Sequence, residues 1–155
     1  MTQRLDLQRA APEGARALHA AHDYVEHCSL PRQLVDLVYL RTSQINGCAY
    51  CIDLHSRDLL QQGMSADKLR LVPVWHELGD FFDARERAAL AWTESLTRLE
   101  ATGAPDADYD AAAQVFSERE LADLTIAIAL MNAYNRFGVG LRKTPKAVMD
   151  ARAAG

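Results

Sequence analysis

The hydrophobic and polar positions of this chain follow the three- and four-residue spacing of α-helices. The clearest case starts after Pro31, where Leu34, Leu37, Val38 and Ile45 fall on one side of a helix. We find no convincing stretch with the alternation that is typical of a half-buried strand. The pattern therefore predicts an all-α fold. The predicted helices cover residues 12–27, 31–45, 48–62, 65–72, 83–100, 106–115 and 117–137.

Residues that start helices agree with these boundaries. Asp83 with Glu86, and Ser117 with Glu120, have the three-residue spacing of capping boxes at helix N-termini. The helix predicted over residues 117–137 carries a wide and mostly apolar stripe. A stripe of that width is expected either at the centre of the core or in an oligomer interface.

Length, composition and charge favour one cytoplasmic domain over residues 1–155. The 155 residues are 49% hydrophobic and 25% charged, which is ordinary for a globular protein. A net charge of −4 without a basic run argues against a nucleic-acid partner. The N-terminal MTQRLDLQRAAPEG lacks the apolar core of a secretory signal. The longest nearly uncharged stretch, Leu124 to Asn135, is too short to span a bilayer.

Two of the three cysteines lie close to a histidine in RTSQINGCAYCIDLHSRDLL, residues 41–60. Asn46-Gly47 is a breaker pair, so a new helix is expected to start near Cys48. On that helix Cys51 lies about 60° and His55 about 20° from Cys48, which places all three on one face. The helix N-terminus stabilises a thiolate at Cys48. His55, four residues after Cys51, can instead accept the Cys51 proton or pair with its thiolate.

Three interpretations of this constellation remain open. The cysteines can be inert core residues, since free cysteine is often buried. Cys48, Cys51 and His55 can bind zinc with a fourth ligand such as His76, although no second C-x-x-C is present. The pair can also be redox active, and this interpretation is favoured, because C-x-x-C in a reducing compartment is typical of redox or metal sites.

Three segments resemble one known family when they are taken together. LVYLRTSQINGCAYCIDLH, FFDARERAALAWTE and NAYNRFGVGLR are similar, in that order, to segments of AhpD-like alkylhydroperoxidases and carboxymuconolactone-decarboxylase-like proteins. The resemblance covers about residues 30–142. It implies an all-α bundle of about six to seven helices whose protomers assemble into trimers or hexamers. It also implies reduction of hydroperoxides by the cysteine pair without a metal, flavin or haem.

The resemblance also implies roles for individual residues. Cys51 matches the cysteine that attacks the peroxide, Cys48 the cysteine that resolves it, and His55 the histidine that relays the proton. Asp36 stands twelve residues before Cys48, where the family has a glutamate, and Tyr50 stands where the best-characterised enzyme has a second histidine. A lipoyl or thioredoxin-like dithiol protein is the implied reductant. The alternatives are a general disulfide oxidoreductase and a zinc-binding or purely structural oligomer.

Five other residues have chemistry that needs an interpretation. Cys28 is expected to pack at a helix end, with a reactive spare thiol as the alternative. His19, His22 and His27 are expected to be solvated helix residues. Arg136 is expected to be structural, although it can also receive an anionic substrate or pair with an acid across a subunit boundary.

Overall fold

The computed structural model describes residues 2–154, and over that range it contains helices and no strands. This confirms the all-α prediction. The ten α-helices are α1 (Leu7–Ala10), α2 (Pro12–Glu26), α3 (Arg32–Asn46), α4 (Ala49–Gln61), α5 (Ala66–Leu71), α6 (Ala84–Thr97), α7 (Leu99–Thr102), α8 (Asp106–Ala113), α9 (Glu118–Gly140) and α10 (Lys146–Ala153). Two 3₁₀ turns, Val72–Glu77 and Gly79–Phe81, connect α5 to α6. Within residues 2–154, no helix is both long and apolar enough to cross a bilayer.

Helix α3 forms the centre of the core. Every residue from 34 to 43 is buried, and α4, α6 and α9 pack around this segment. Two polar side chains in it are satisfied within the helix, since Thr42 Oγ1 donates to Val38 O at 2.9 Å and Ser43 Oγ donates to Tyr39 O at 2.7 Å. Helix α9 also contributes buried residues to the core, which agrees with its apolar stripe.

The predicted count of six to seven helices is wrong, because ten α-helices lie within residues 2–154. Helices α1 and α7 are single turns, which are too short to show a hydrophobic period. Arg98 leaves helical geometry at φ −98° and ψ 36°, so the helix predicted over 83–100 ends early. Helix α10 lies in the tail, beyond the segments that carry the family resemblance. It begins after Pro145, and Lys146 pairs with Asp150 one turn later.

Buried Asp123 ties the connection between α2 and α3 to α9. Its carboxylate is 0% exposed and accepts hydrogen bonds from Tyr24 Oη at 2.6 Å and Ser29 Oγ at 2.7 Å. The Ser29 amide donates a third hydrogen bond to this carboxylate at 3.1 Å, and Arg119 Nε donates a fourth at 3.2 Å. Burial alone raises the pKa of Asp123, but these donors outweigh burial and lower it to about 2.

We expect Asp123→Asn to lower the free energy of unfolding at pH 7 by about 2–4 kcal/mol, because an amide cannot accept from all four donors. The carboxylate contribution is complete above the unfolded pKa of about 4 and is lost as the pH falls toward 2. Urea unfolding at several pH values measures the difference between parent and variant, which should shrink below pH 4. Asp110→Ala, at an exposed acid on α8, is the control and should change little. A difference that does not depend on pH would contradict this account.

A candidate cysteine–histidine active site

The start of α4 brings the two cysteines together. Gly47 ends α3 in the left-handed region at φ 67°, and Cys48 then caps α4 in an extended conformation. Cys48 Sγ accepts a hydrogen bond from the Cys51 amide at 3.4 Å. The two residues are paired as a disulfide with their Cα atoms 5.4 Å apart, within the ordinary range for a disulfide. The breaker pair thus marks the helix boundary that the sequence predicts.

Asp36 reaches His55 directly from the neighbouring helix. Asp36 Oδ1 on α3 lies 3.2 Å from His55 Nδ1, and Asp58 Oδ2 on α4 lies 3.4 Å from the same nitrogen. Both Asp36 and the His55 ring are buried. Burial works to lower the pKa of His55, but the two carboxylates outweigh it and raise that pKa above 6.5. Nδ1–H therefore faces carboxylate, and Nε2 is the nitrogen left for chemistry.

The second oxygen of Asp36 is held by two further donors. Gln62 Nε2 donates a hydrogen bond to Asp36 Oδ2 at 2.6 Å, and Arg32 Nε donates to the same oxygen at 2.9 Å. Burial raises the pKa of Asp36, but hydrogen bonds from His55, Gln62 and Arg32 outweigh it and lower the pKa. Asp36 is therefore a carboxylate at neutral pH, and its orientation toward His55 is fixed by donors on its other side.

The zinc site that the sequence left open as an alternative is not assembled in this structure. Among the described residues, the group of three ligand atoms within 4.8 Å of one another comes from Asp36, His55 and Asp58 and includes no cysteine. His76, the suggested fourth ligand, is an exposed residue of a 3₁₀ turn beside Trp75. The positive charge of Arg32 on Asp36 also disfavours a cation at the carboxylate group.

A cavity of about 690 Å³ opens beside the cysteine pair. This volume is in the range of small-molecule sites. Its wall is mostly apolar and comes from α2, α4, α9 and the N-terminal segment, whose Arg4 amide donates to Leu141 O at 2.9 Å. Cys51 and His55 are among the lining residues, whereas Cys48 is not. Only Cys51 of the pair is therefore presented to a small molecule in this cavity.

Tyr50, Cys28 and Arg136 have different relations to this cavity. Tyr50 lines it, and Lys143 Nζ lies 4.0 Å from the centre of the Tyr50 ring. Cys28 is a free, half-buried thiol at the edge of the core and is not part of the cavity wall. Arg136 is exposed and donates to Asn132 O on its own helix at 2.7 Å. These contacts agree with the packing role expected for Cys28 and with the structural role expected for Arg136.

Two residues of the site escaped the sequence analysis. His22 was expected to be solvated, but it is half-buried and lines the cavity. The signal was present, since His22 shares a helix face with Leu18 and Val25, which contribute to the core. Gly138 packs against both sulfurs, and a Cβ there would lie 2.6 Å from Cys48 Sγ and 3.4 Å from Cys51 Sγ. An isolated glycine in a long apolar helix often has such a packing reason.

We expect Gly138→Ala to disturb the cysteine pair, because its new methyl would overlap Cys48 Sγ. The thiols should oxidise to the intramolecular disulfide at least about tenfold more slowly, since a displacement of 1 Å at reacting atoms has effects of this size or larger. Gly140→Ala is the matched control two residues later, where a Cβ meets nothing within 4 Å. Counting free thiols over time as the two reduced variants are oxidised gives the rate of disulfide formation in each. Equal rates in the two variants would contradict the proposed packing role.

Comparisons with known proteins agree on the family. The sequence model of the carboxymuconolactone decarboxylase family matches residues 11–95. The uncharacterized protein YdfG of Bacillus subtilis is 31% identical over 141 residues, which cover 91% of this chain and 95% of YdfG. Alkyl hydroperoxide reductase AhpD of Rhodospirillum centenum is 34% identical over 70 residues, which cover 43% of this chain and 37% of that protein.

A crystal structure extends the likeness to the fold. A protein of unknown function from Agrobacterium tumefaciens, proposed to be the antioxidant defence protein AhpD, is 35% identical with a TM-score of 0.89. The match covers 93% of this chain and 98% of that one. The AhpD-like resemblance predicted from the sequence is thereby confirmed. The chain belongs to the carboxymuconolactone decarboxylase family.

Proposed function

We propose that this protein is a thiol-dependent hydroperoxide reductase with an antioxidant role. The observation that carries the proposal is the arrangement of Cys51, which forms a disulfide with Cys48 at the wall of a cavity that His55 also lines. Asp36 contacts the imidazole of His55 at Nδ1 and thereby fixes its orientation. A family name that refers to a decarboxylase does not by itself decide the reaction, so the proposal rests on this arrangement.

The first chemical step takes place at Cys51. His55 takes the thiol proton and pairs with the thiolate as imidazolium, which the neighbouring carboxylates stabilise. The thiolate attacks the terminal oxygen of the hydroperoxide, and the O–O bond breaks as the S–O bond forms. His55 returns its proton to the leaving alkoxide, so the products are Cys51 sulfenic acid and an alcohol. The peroxide is reduced by two electrons from the sulfur.

The second step forms the disulfide that the structure contains. The Cys48 thiol attacks the sulfenic sulfur of Cys51, and the hydroxyl leaves as water with the Cys48 proton. A lipoyl or thioredoxin-like dithiol then attacks Cys51, the sulfur at the cavity, which releases Cys48 as thiolate and leaves Cys51 in a mixed disulfide with the reductant. The second thiol of the reductant attacks its own sulfur in that mixed disulfide, so Cys51 is released and the reductant leaves as a disulfide. The Cys51 amide and the start of α4 stabilise the Cys48 thiolate, which makes Cys48 the better leaving group. No metal, flavin or haem takes part in this cycle.

A homo-oligomer, trimer or hexamer, is part of the proposal. Ile126 and Val139 on α9 are exposed at 40% and 47%, and such apolar positions suit burial between protomers. Light scattering after size-exclusion chromatography tests this assembly.

A general disulfide oxidoreductase is the second candidate function, because the stabilised Cys48 leaving group would serve it equally well. Rates of thiol loss with an organic hydroperoxide and with a small disulfide distinguish the two activities. A peroxidase should react much faster with the hydroperoxide at equal concentration, whereas an oxidoreductase should prefer the disulfide. Metal analysis of the same sample tests the zinc alternative, and stoichiometric zinc would contradict the proposed cycle.

A further inference from the structure

Large apolar side chains lie exposed in the cavity beside Cys51. Leu54 lines the cavity and is 39% exposed, and it stands three residues after Cys51 on the same side of α4. Leu5 of the N-terminal segment also lines the cavity and is 44% exposed. Apolar side chains that are left exposed in a concave surface are typical of sites that bind an apolar ligand. The wall therefore offers apolar surface to the organic part of a substrate.

Two cations of the cavity wall have no acidic partner. Arg16 on α2 and Lys143 after α9 both line the cavity, and neither has a carboxylate oxygen within 4.0 Å of its side-chain nitrogens among residues 2–154. In contrast, Arg32, Lys68 and Lys146 pair with acids at 2.9, 2.6 and 2.7 Å. A few polar groups in a mostly apolar wall orient a ligand and select its charge. Arg16 and Lys143 are thus available to an anionic group.

Lys143 is held next to the reacting sulfur. Its Nζ lies 4.0 Å from the centre of the Tyr50 ring, and Tyr50 directly precedes Cys51. The Lys143 amide donates to Gly138 O at 2.9 Å, and Gly138 packs against both sulfurs. An ammonium group has three N–H donors, so those that do not face the ring remain free for a second partner. The positive charge of Lys143 therefore has a fixed place at the cavity wall.

The other charged groups of the wall do not cancel these two cations. Asp6 is the acid that lines the cavity, and its Oδ1 accepts hydrogen bonds from the Gln8 and Arg9 amides at 3.0 and 3.2 Å. The imidazolium charge of His55 is balanced by Asp36 on the side away from the reaction. Although the whole chain has a net charge of −4, the cavity wall thus carries an excess of positive charge. Such a wall favours anionic ligands.

We propose that the substrates are hydroperoxides of apolar organic acids, such as fatty acids, whose carboxylate binds Lys143. This inference rests on the proposed peroxidase function. The apolar chain packs against the wall, and the carboxylate accepts charge-assisted hydrogen bonds from the ammonium group. Arg16 adds positive charge from α2. The reaction at Cys51 is unchanged, so the product is the corresponding hydroxy acid. Lys143 determines specificity and takes no part in breaking the O–O bond.

The test compares the hydroperoxide of linoleic acid with that of methyl linoleate, which lacks only the negative charge. The chain of both is flexible, so the carboxylate and the hydroperoxide group can reach separate partners. Lys143→Met removes the ammonium group and keeps an apolar stem. Lys146→Met is the matched control, because Lys146 pairs with Asp150 and does not line the cavity. Rapid-mixing thiol assays of the reduced proteins, at low salt and below micelle-forming concentrations, give second-order rate constants.

We expect the parent to react about tenfold faster with the acid than with the ester, the effect of about one charge-assisted hydrogen bond. In Lys143→Met the rate with the acid should fall to nearly that with the ester. Lys146→Met should keep the parental preference. Added salt should reduce the preference of the parent, because it screens the interaction of exposed charges.

Two results would overturn the inference and leave the proposed function in place. One is a parent that reduces both hydroperoxides at the same rate. The other is a Lys143→Met variant that loses the same factor with acid and ester, which would assign the lysine to the thiol chemistry or to packing. A parent that reacts with neither of them, nor with cumene hydroperoxide, would overturn both the inference and the proposed function.

Discussion

Replacement of Cys51 by serine is expected to slow oxidation by hydroperoxides more than about a thousandfold, as the loss of an attacking nucleophile does in other enzymes. Cys51 lines the cavity, lies beside His55 on one helix face and is the sulfur that a small molecule can approach. Cys48 remains in the variant, but it does not line the cavity, and its exposure is 1%. Stopped-flow measurement of peroxide consumption by the reduced variant makes the test.

The reciprocal variant should behave differently. Cys48→Ser keeps the attacking thiol, so one equivalent of peroxide should be consumed at nearly the parental rate. The reaction should then stop at Cys51 sulfenic acid, because no neighbouring thiol can condense with it. Mass spectrometry after dimedone labelling detects that species. Cys28→Ser is the matched control, since this free cysteine lies outside the cavity, and it should leave the whole cycle unchanged. Rapid reaction of Cys51→Ser at Cys48 would reverse the assigned roles.

Asp36→Asn is expected to lower the rate constant with hydroperoxide by about a hundredfold, the lower range for loss of acid–base assistance. Asp36 is fully buried and is held by Arg32 and Gln62 while it orients His55. The amide keeps the shape of the side chain but removes the charge that holds His55 as imidazolium. Asp58→Asn is the matched control, because that carboxylate lies 3.4 Å from the same nitrogen but its side chain is 29% exposed. Asp58→Asn should therefore lower the rate constant with hydroperoxide by a smaller factor than Asp36→Asn does.

The pH dependence gives Asp36→Asn a second measurable sign. The carboxylates raise the pKa of His55, so the parent should retain activity as the pH rises above 6.5 and lose it only through the raised value. Loss of the Asp36 charge lowers that pKa, so the alkaline limb of the rate profile should move to lower pH. Rates measured from pH 5 to pH 9 follow this limb. An unchanged limb in Asp36→Asn would show that Asp36 does not act through His55.

The sequence predicted the cysteine–histidine part of the site because it is local. Cys48, Cys51 and His55 lie within eight residues, and helical spacing alone places them on one face. The Asn46-Gly47 break marked the start of α4 for the same reason. Asp36 was identified through the family resemblance, and its direct contact with His55 depends on how α3 rotates against α4. That rotation is set by core packing, which the periodicity of one helix does not specify.

The features that escaped prediction depend on contacts between distant segments. His22 shares a helix face with Leu18 and Val25, but that spacing does not show which neighbours cover the ring; the packing of α2 against Tyr39 on α3 and Tyr134 on α9 does so. Gly138 lies ninety residues after Cys48, and its role follows from the close approach of α9 to the sulfurs. The additional helices are single turns or a terminal helix held by local caps and ion pairs. Such elements are too short, or too polar, to have a hydrophobic period.

The central claim is that the C-x-x-C pair reduces a hydroperoxide, and one measurement tests it most directly. Reduced, metal-free protein is analysed by intact mass and free-thiol count before and after one equivalent of an organic hydroperoxide. The proposed cycle predicts the loss of two hydrogen atoms and two thiols, with Cys28 still free and one equivalent of alcohol formed. Protein that keeps all its thiols under these conditions would contradict the claim.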